Sequence, residues 1–183
     1  SRLGYALERL DEAREARREA AAERRAGADA GRLSGEAAAA LRLGRRQERE
    51  QDWTAAATSF QRVVELAPEY APAWYRLGRC LHQLGDPAAL TAVSAACRIS
   101  DRNPHWLSLL ADLLEADGEL PDALTARRQA AALGVAENPR WAVRLADLLD
   151  RAGLWQEARE VLQDNLTRHP NHALSYRRLG EIS

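Results

Sequence analysis

The sequence contains no lysine and no methionine, one phenylalanine, and two cysteines in 183 residues. Without lysine there is no P-loop lysine, no Schiff-base lysine and no lysine general base. Two cysteines are too few for a disulfide-framed scaffold. Val and Ile together number only eight, so the residues that favour strands are scarce. No apolar run approaches the ~20 residues that span a bilayer, so no membrane insertion is expected. The start, SRLGYALERL, leads into charged sequence rather than the apolar core of a secretory leader. A net charge of −1 gives no global field that would favour nucleic acid, and none is expected as a partner. The motifs G-x-S-x-G, H-E-x-x-H, C-x-x-C and G-x-G-x-x-G are all missing. These absences point away from an enzyme and away from a metal or cofactor site.

Ala (37 residues) and Leu (27) dominate the apolar set, and all 26 basic residues are Arg. Strong helix formers in such excess predict an all-α protein. The Arg-only, Ala-rich bias suggests a GC-rich, bacterial genome. Because the chain opens at Ser1 and lacks Met, it reads as a processed chain or an excised fragment.

The organisation lies in an internal repeat. Leu-Gly or Leu-Ala pairs recur at Leu43-Gly44, Leu77-Gly78, Leu110-Ala111, Leu145-Ala146 and Leu179-Gly180, at spacings of 34, 33, 35 and 34 residues. Gly85, Gly118 and Gly153 each follow such a pair by seven residues. SLLADLLEADG and VRLADLLDRAG align at a shift of 35, as do Asn103-Pro104-His105-Trp106 and Asn138-Pro139-Arg140-Trp141. A small residue at each marker allows a first helix to approach its partner closely. Glycines at 85, 118 and 153 can adopt positive φ and end that helix. Pro68 and Pro170 stop second helices, and Pro104 and Pro139 sit at comparable junctions.

This pattern resembles the tetratricopeptide repeat, a helix–turn–helix unit of 34 residues with the signature W-x2-L-G-x2-Y, A-x3-F and P. Trp74, Leu77 and Gly78 carry its first half, with Leu81 at the tyrosine place; Ala56, Phe60 and Pro68 carry its second half. Leu145, Ala146, Gly153, Ala158, Leu162 and Pro170 form a further unit, and Tyr176, Leu179 and Gly180 begin another, cut at Ser183. The resemblance implies an all-α, right-handed helical-hairpin solenoid with about four repeats, a half repeat and an N-terminal helix. The expected units are 37–70, 71–103, 104–138 and 139–172, with the half unit at 173–183, together forming a repeat domain at 36–183. The second unit departs most, with Leu90 where Ala is usual and Arg102 at the proline place. Residues 1–35 are either one long capping helix over 2–25 or a degenerate repeat, followed by a loop marked by Gly27, Gly31 and Gly35. Leu3, Leu7 and Leu10 fall on one face there, no Gly or Pro makes a turn between Tyr5 and Arg25, and Ser34 stands as an N-cap with Glu36 in the first turn.

Single residues that could carry chemistry have ordinary readings too. Cys80 and Cys97 stand where the family has Ala, which implies buried thiols rather than ligands with His82. His169 and His172 flank Pro170-Asn171 without further donors. Asp147 and Asp150 share a helical face but lack a nucleophile. Trp53 and Trp155 precede second helices, where the family often packs a ring under the turn, and Trp74 is the family's own tryptophan. Trp106 and Trp141 either wedge between repeats or offer a stacking face.

The resemblance also implies a concave groove lined by first helices. Its five places per unit are Ala38, Leu41, Arg45, Glu48 and Arg49; Pro72, Tyr75, Arg79, His82 and Gln83; His105, Ser108, Asp112, Glu115 and Ala116; and Arg140, Val143, Asp147, Asp150 and Arg151. The groove then reads as polarised, with Arg45, Arg49, Arg79, Tyr75 and His82 towards one end and Asp112, Glu115, Asp147 and Asp150 towards the other. The alternative is a solvated charged face. No Asn accompanies Arg at these places, unlike repeats that clamp chaperone tails. The expected function is a non-catalytic, cytoplasmic scaffold that binds a peptide or partner protein. The alternative is an accessory domain, for acceptor binding or oligomerisation, of a larger bacterial cell-envelope polymer transferase. RLGYALERL, YRLGRCLHQLG and YRRLG are similar to repeats attached to such glycosyl- and glycerophosphotransferases. Leu174, Tyr176 and Leu179 lack a following helix, which raises self-association through the C-terminal end.

Overall fold

The computed structural model describes residues 33–100, 102–136 and 138–182. The expected helix over 2–25 and the glycines at 27 and 31 lie outside these residues. Among the described residues there are nine helices and no strand: α1 (Gly35–Arg49), α2 (Trp53–Leu66), α3 (Ala71–Gln83), α4 (Ala88–Ile99), α5 (Pro104–Ala116), α6 (Leu120–Gly134), α7 (Arg140–Arg151), α8 (Trp155–Arg168) and α9 (Ala173–Glu181). The chain divides into two compact units, Ser1–Pro87 and Ala88–Ser183, and the division falls within the repeat expected at 71–103.

In the first unit α1 packs on α2 and α2 on α3. Ser34 caps α1, its side chain accepting from the Ala37 amide at 3.2 Å, and Asp52 caps α2 by accepting from Ala55 at 3.0 Å. Each removes one of the unpaired amides of a first turn. Gly35, expected in a loop, is the first helical residue. Ala37, Leu41, Gly44 and Glu48 form the buried stripe of α1, at spacings of three and four. Gly44 has no room for a side chain, because a Cβ there would lie 2.8 Å from the Phe60 ring. Phe60 itself is fully buried. Trp74 donates its indole N–H to the Pro68 carbonyl at 2.7 Å, which ties the start of α3 to the end of α2.

In the second unit each helix from α4 to α9 packs on the next, and α7 also meets α9. Set among α6, α8 and α9, α7 buries Trp141, Ala142, Val143, Leu145, Ala146, Leu148 and Leu149. Leu162 of α8 and Ile182 complete this core. Asn103 caps α5, accepting from His105 and Trp106 at 3.0 and 3.3 Å, with Pro104 in the first turn. Trp141 needs space taken from α6: a Cβ on Gly134 would come within 2.4 Å of its ring. The marker Gly180, by contrast, approaches nothing, since a Cβ there meets no atom within 4 Å. On α9, Leu174 and Leu179 pack against the core, leaving Tyr176 as its strongly exposed ring.

The turns repeat one device. Gly85, Gly118 and Gly153 have φ of 70°, 86° and 75°, as their spacing predicts. The next amide donates back across the turn, Asp86 to Leu81, Glu119 to Leu114 and Leu154 to Leu149, at 2.9, 2.9 and 2.8 Å. This capping geometry gives donors to the last carbonyls of the helix. The end of α1 uses the same bond, Asp52 to Gln47 at 3.0 Å, but its left-handed residue is Gln51, at φ 60°. A side chain in that conformation costs roughly 1–2 kcal/mol, while glycine costs the unfolded chain about 0.5–1 kcal/mol. Gln51→Gly is therefore expected to stabilise the protein by about 0.5–1 kcal/mol in urea unfolding. A lower midpoint would mean that the glutamine side chain makes a contact worth more than the strain.

Candidate functional site

The residues named from the groove pattern lie on α1, α3, α5 and α7, and the structure separates them by what they touch. In the first unit Glu48 is buried, and α3 brings two guanidinium groups to it. Arg76 reaches Oε2, and Arg79 takes Oε1 through Nε at 3.1 Å and Nη2 at 2.5 Å. Arg79 is thus engaged inside its own unit. Arg49 and His82 are exposed, Tyr75 is half-buried, and Arg45 is half-buried with Nε and Nη2 out of contact with solvent. Leu41, expected to line the groove, is buried instead, because it falls on the stripe that contains Ala37 and Gly44.

In the second unit every acid of the expected cluster meets an arginine. Glu115 accepts from Arg151 Nε at 2.7 Å and Nη2 at 3.0 Å, which links α5 to α7. Asp147 accepts from Arg178 Nε at 2.6 Å, and Asp150 lies 4.0 Å from the same guanidinium, which links α7 to α9. Glu181, by a hydrogen bond at 2.7 Å, and Asp147 together hold Arg178 above the ordinary arginine range against the opposing effect of burial. Asp112 is exposed and is held by Arg127 of α6, which also donates to Ser108 at 2.5 Å. Val143 and Ser108 were also expected in the groove, and both are buried. Val143 belongs to the core around α7, while Ser108 accepts from Arg127 and, at 3.3 Å, from Arg144.

Arg127 is the residue that motif reading missed. In the A-x3-F pattern it follows Ala123 as Phe60 follows Ala56 and Leu162 follows Ala158. Two repeats thus bury an apolar side chain at this place, and the third buries a guanidinium that is 3% exposed, with Nε unpartnered among the described residues. The other pairs had a visible signal: Arg76, Arg144 and Arg178 all stand two residues before a marker Gly or Ala. Arg76 reaches Glu48, and Arg178 approaches Asp150, both four residues after the preceding marker.

The remaining candidates take structural places. Cys80 and Cys97 are buried free thiols, each pushed up to about 11 by burial, with Glu48 adding to the effect at Cys80. His169 Nε2 lies 3.2 Å from the Val135 carbonyl, and His172 Nδ1 lies 2.8 Å from Ser175 Oγ. Asn165 Nδ2 donates to that Oγ and to the Pro139 carbonyl, at 2.8 and 3.1 Å. No group of three or more His, Cys, Asp or Glu among the described residues could hold a metal. Trp141 is buried, with Arg144 over its ring at 5.3 Å and His105 at its edge, so it offers no stacking face. Trp106 is half-buried. Trp155 departs from the expected packing under the turn: it opens α8 half exposed, beside exposed Leu154. No helix among the described residues is long and apolar enough to cross a membrane.

Comparison with known proteins matches a family model described as tetratricopeptide repeat over residues 41–104 and 108–173. No curated protein matches the sequence significantly. Similar solved structures include a crystal structure of MamA, with TM-score 0.71 and 17% identity over 80% of each chain. YrrB, titled a TPR protein with an unusual peptide-binding site, matches with TM-score 0.66 and 17% identity over 78% of this chain and 74% of its own. MamA from Desulfovibrio magneticus RS-1 matches with TM-score 0.64 and 21% identity over 73% and 76%. At these identities the likeness shows the fold class, an all-α helical-hairpin solenoid.

Two substitutions test the energetics of the paired charges. Removing Glu48 leaves two guanidiniums without their carboxylate, so Glu48→Ala is expected to cost about 3 kcal/mol, against less than about 1 for Glu115→Ala, whose pair is partly solvated. Equal losses in urea unfolding would show that burial does not rank these pairs. Arg127→Leu restores the side chain that Leu162 supplies at the same place. It is expected to stabilise by about 1 kcal/mol or more, because a buried ion pair rarely repays its desolvation against an apolar replacement. A destabilised variant would mean that the bonds to Ser108 and Asp112 outweigh that cost.

Proposed function

The chain belongs to the tetratricopeptide-repeat family, and on that premise we propose that it is a non-catalytic scaffold holding a peptide or partner protein against the first-helix faces of its units. The observation that carries this reading is the continued exposure of Arg49, His82 and Asp112 at groove places of family-type helices. The contributing residues are Arg45, Arg49, Tyr75, Arg79 and His82 in the first unit and Asp112, Glu115, Asp147 and Asp150 in the second. Their roles differ. Arg79, Glu115, Asp147 and Asp150 serve chiefly to hold their own helices, since each has an arginine or carboxylate partner within the chain. Arg49 and His82 are the exposed first-unit side chains among these, and each meets a ligand without breaking an internal bond. YrrB's printed peptide-binding site supports the peptide class for this chain by analogy of fold alone.

Selection of peptides from a displayed random library on the folded chain tests the proposal. Peptides recovered on the wild-type chain are expected to bind an Arg49→Glu, His82→Ala variant roughly tenfold more weakly, because one charge-assisted contact and one polar contact are lost. The thermal midpoint is expected to stay unchanged, as both side chains are exposed. Undiminished binding by that variant would remove the first-helix face of the first unit from the mechanism.

A further inference from the structure

Two contacts in this chain show what a helix glycine is for. Gly44 of α1 lies under the Phe60 ring of α2, where a Cβ would come within 2.8 Å, and Gly134 of α6 lies under the Trp141 ring of α7, where it would come within 2.4 Å. In both, an aromatic ring takes the space that a side chain would fill. The last helix, α9, carries both halves of such a contact and joins neither to anything. Gly180 is exposed, and a Cβ on it would meet no atom within 4 Å. Tyr176, four residues earlier and so on the same helix face, is 57% exposed. Gly44 shows that this is the face a first helix turns to the second helix of its own hairpin. On α5 and α7 the same two places are Leu107 with Ala111 and Ala142 with Ala146, and all four are buried. The packing of α9 is on α8 and α7, which leaves this face to solvent.

An interface between identical copies is either head-to-tail or two-fold, and the side chains separate the two. A first helix meets the helix before it through another stripe. In α7 that stripe is Trp141, Leu145 and Leu148, all buried, with Trp141 against Gly134 of α6. The corresponding Ala73, Leu77 and Cys80 of α3 are buried as well. On α1 the stripe reads Ala39, Leu43 and Arg46, and all three are exposed. The Arg46 side chain, 70% exposed, is paired with Glu50 at 2.9 Å. Head-to-tail stacking would bury that ion pair, whose attraction does not repay the loss of solvent. A two-fold contact has no such cost. Antiparallel pairing of α9 with itself, about a point midway between 176 and 180, sets each Tyr176 ring over the partner's Gly180. At the rim it sets exposed Arg177 near the partner's Glu181, the two groups that lie 3.7 Å apart within one helix. The surface is therefore complementary to itself in shape and in charge.

We propose that α9 is a docking surface for a second copy of this chain, closed by a two-fold axis, with each Tyr176 seated on the partner's Gly180. This goes beyond the scaffold reading and does not rest on it. One helix of nine residues from each copy makes a small interface, so the dimer is weak and forms only as concentration rises.

Sedimentation equilibrium of the whole chain over roughly 1–500 μM tests the proposal. The weight-average mass is expected to rise with concentration and to level off at that of two chains. Tyr176→Ala and Gly180→Gln are each expected to weaken the dimer by about tenfold or more, the first by removing the ring and the second by filling its seat. Neither is expected to lower the thermal midpoint of the dilute chain, because both places are exposed. Mixing the two variants is expected to recover part of the association, since the Tyr176 of one then meets the Gly180 of the other. A mass that stays at one chain throughout overturns the proposal. So does a mass that climbs past two chains, which would mean head-to-tail stacking. Undiminished dimerisation in either variant, or no recovery on mixing, overturns the seat of Tyr176 on Gly180. If Gly180→Gln fails to fold, Tyr176→Ala alone decides in the same way.

Discussion

A helical hairpin closes only where the chain reverses within three or four residues and the last carbonyls of the first helix still find donors. That constraint is met here by one left-handed residue and one amide reaching back five positions, repeated at Gln51, Gly85, Gly118 and Gly153. The marker pair seven residues earlier and the helix N-cap just after are then fixed relative to the turn. Much of the regular spacing in the sequence follows from this bond. Glycine is the inexpensive solution in three of the four cases; in the fourth, the turn geometry is kept although the residue resists it.

Helices brought together by such turns must touch along faces rich in alanine, which have little relief. Close approach then depends on single positions. Gly44 admits the Phe60 ring and Gly134 admits Trp141, and Ala111 and Ala146 are fully buried. Smooth faces gain dispersion and area burial but little directional preference. Directional contacts come from the side chains that bridge first helices: Glu48 with Arg76 and Arg79 in one unit, Glu115 with Arg151 and Asp147 with Arg178 in the other. Geometry of this kind favours one register over its neighbours even where its net contribution to stability is small.

This division of labour explains what could be read in advance. Turns, caps and marker residues depend on the local backbone, so Ser34, Gly118 and the small residues at 44, 111 and 146 could be assigned from spacing and residue type. Gln51 could not, because nothing about a glutamine announces positive φ; only its offset from Gly44 does. The groove places were legible as positions but not as chemistry. Whether Asp112 is free depends on Arg127 from the adjoining helix, and a guanidinium at the place of Phe60 and Leu162 breaks the pattern on which the reading relied. Leu41, Ser108 and Val143 occupy the expected register yet are buried, and Trp155 occupies a packing position yet is exposed, because burial depends on the neighbouring helices.

The charge count of a binding face is therefore a poor guide to what the face recognises. Four carboxylates in the second unit looked like an acidic surface, but each stands opposite an arginine of another helix, and a basic ligand would have to displace it. Recognition falls to groups whose bonding capacity the fold leaves unused, weighted by how much desolvation has already been incurred in placing them. By that measure a half-buried guanidinium edge without an acceptor outranks a solvated ion pair, since its ligand replaces no internal partner and removes an existing penalty. Under the proposed scaffold reading, selectivity depends less on the sum of the charges than on which groups the fold leaves unpaired.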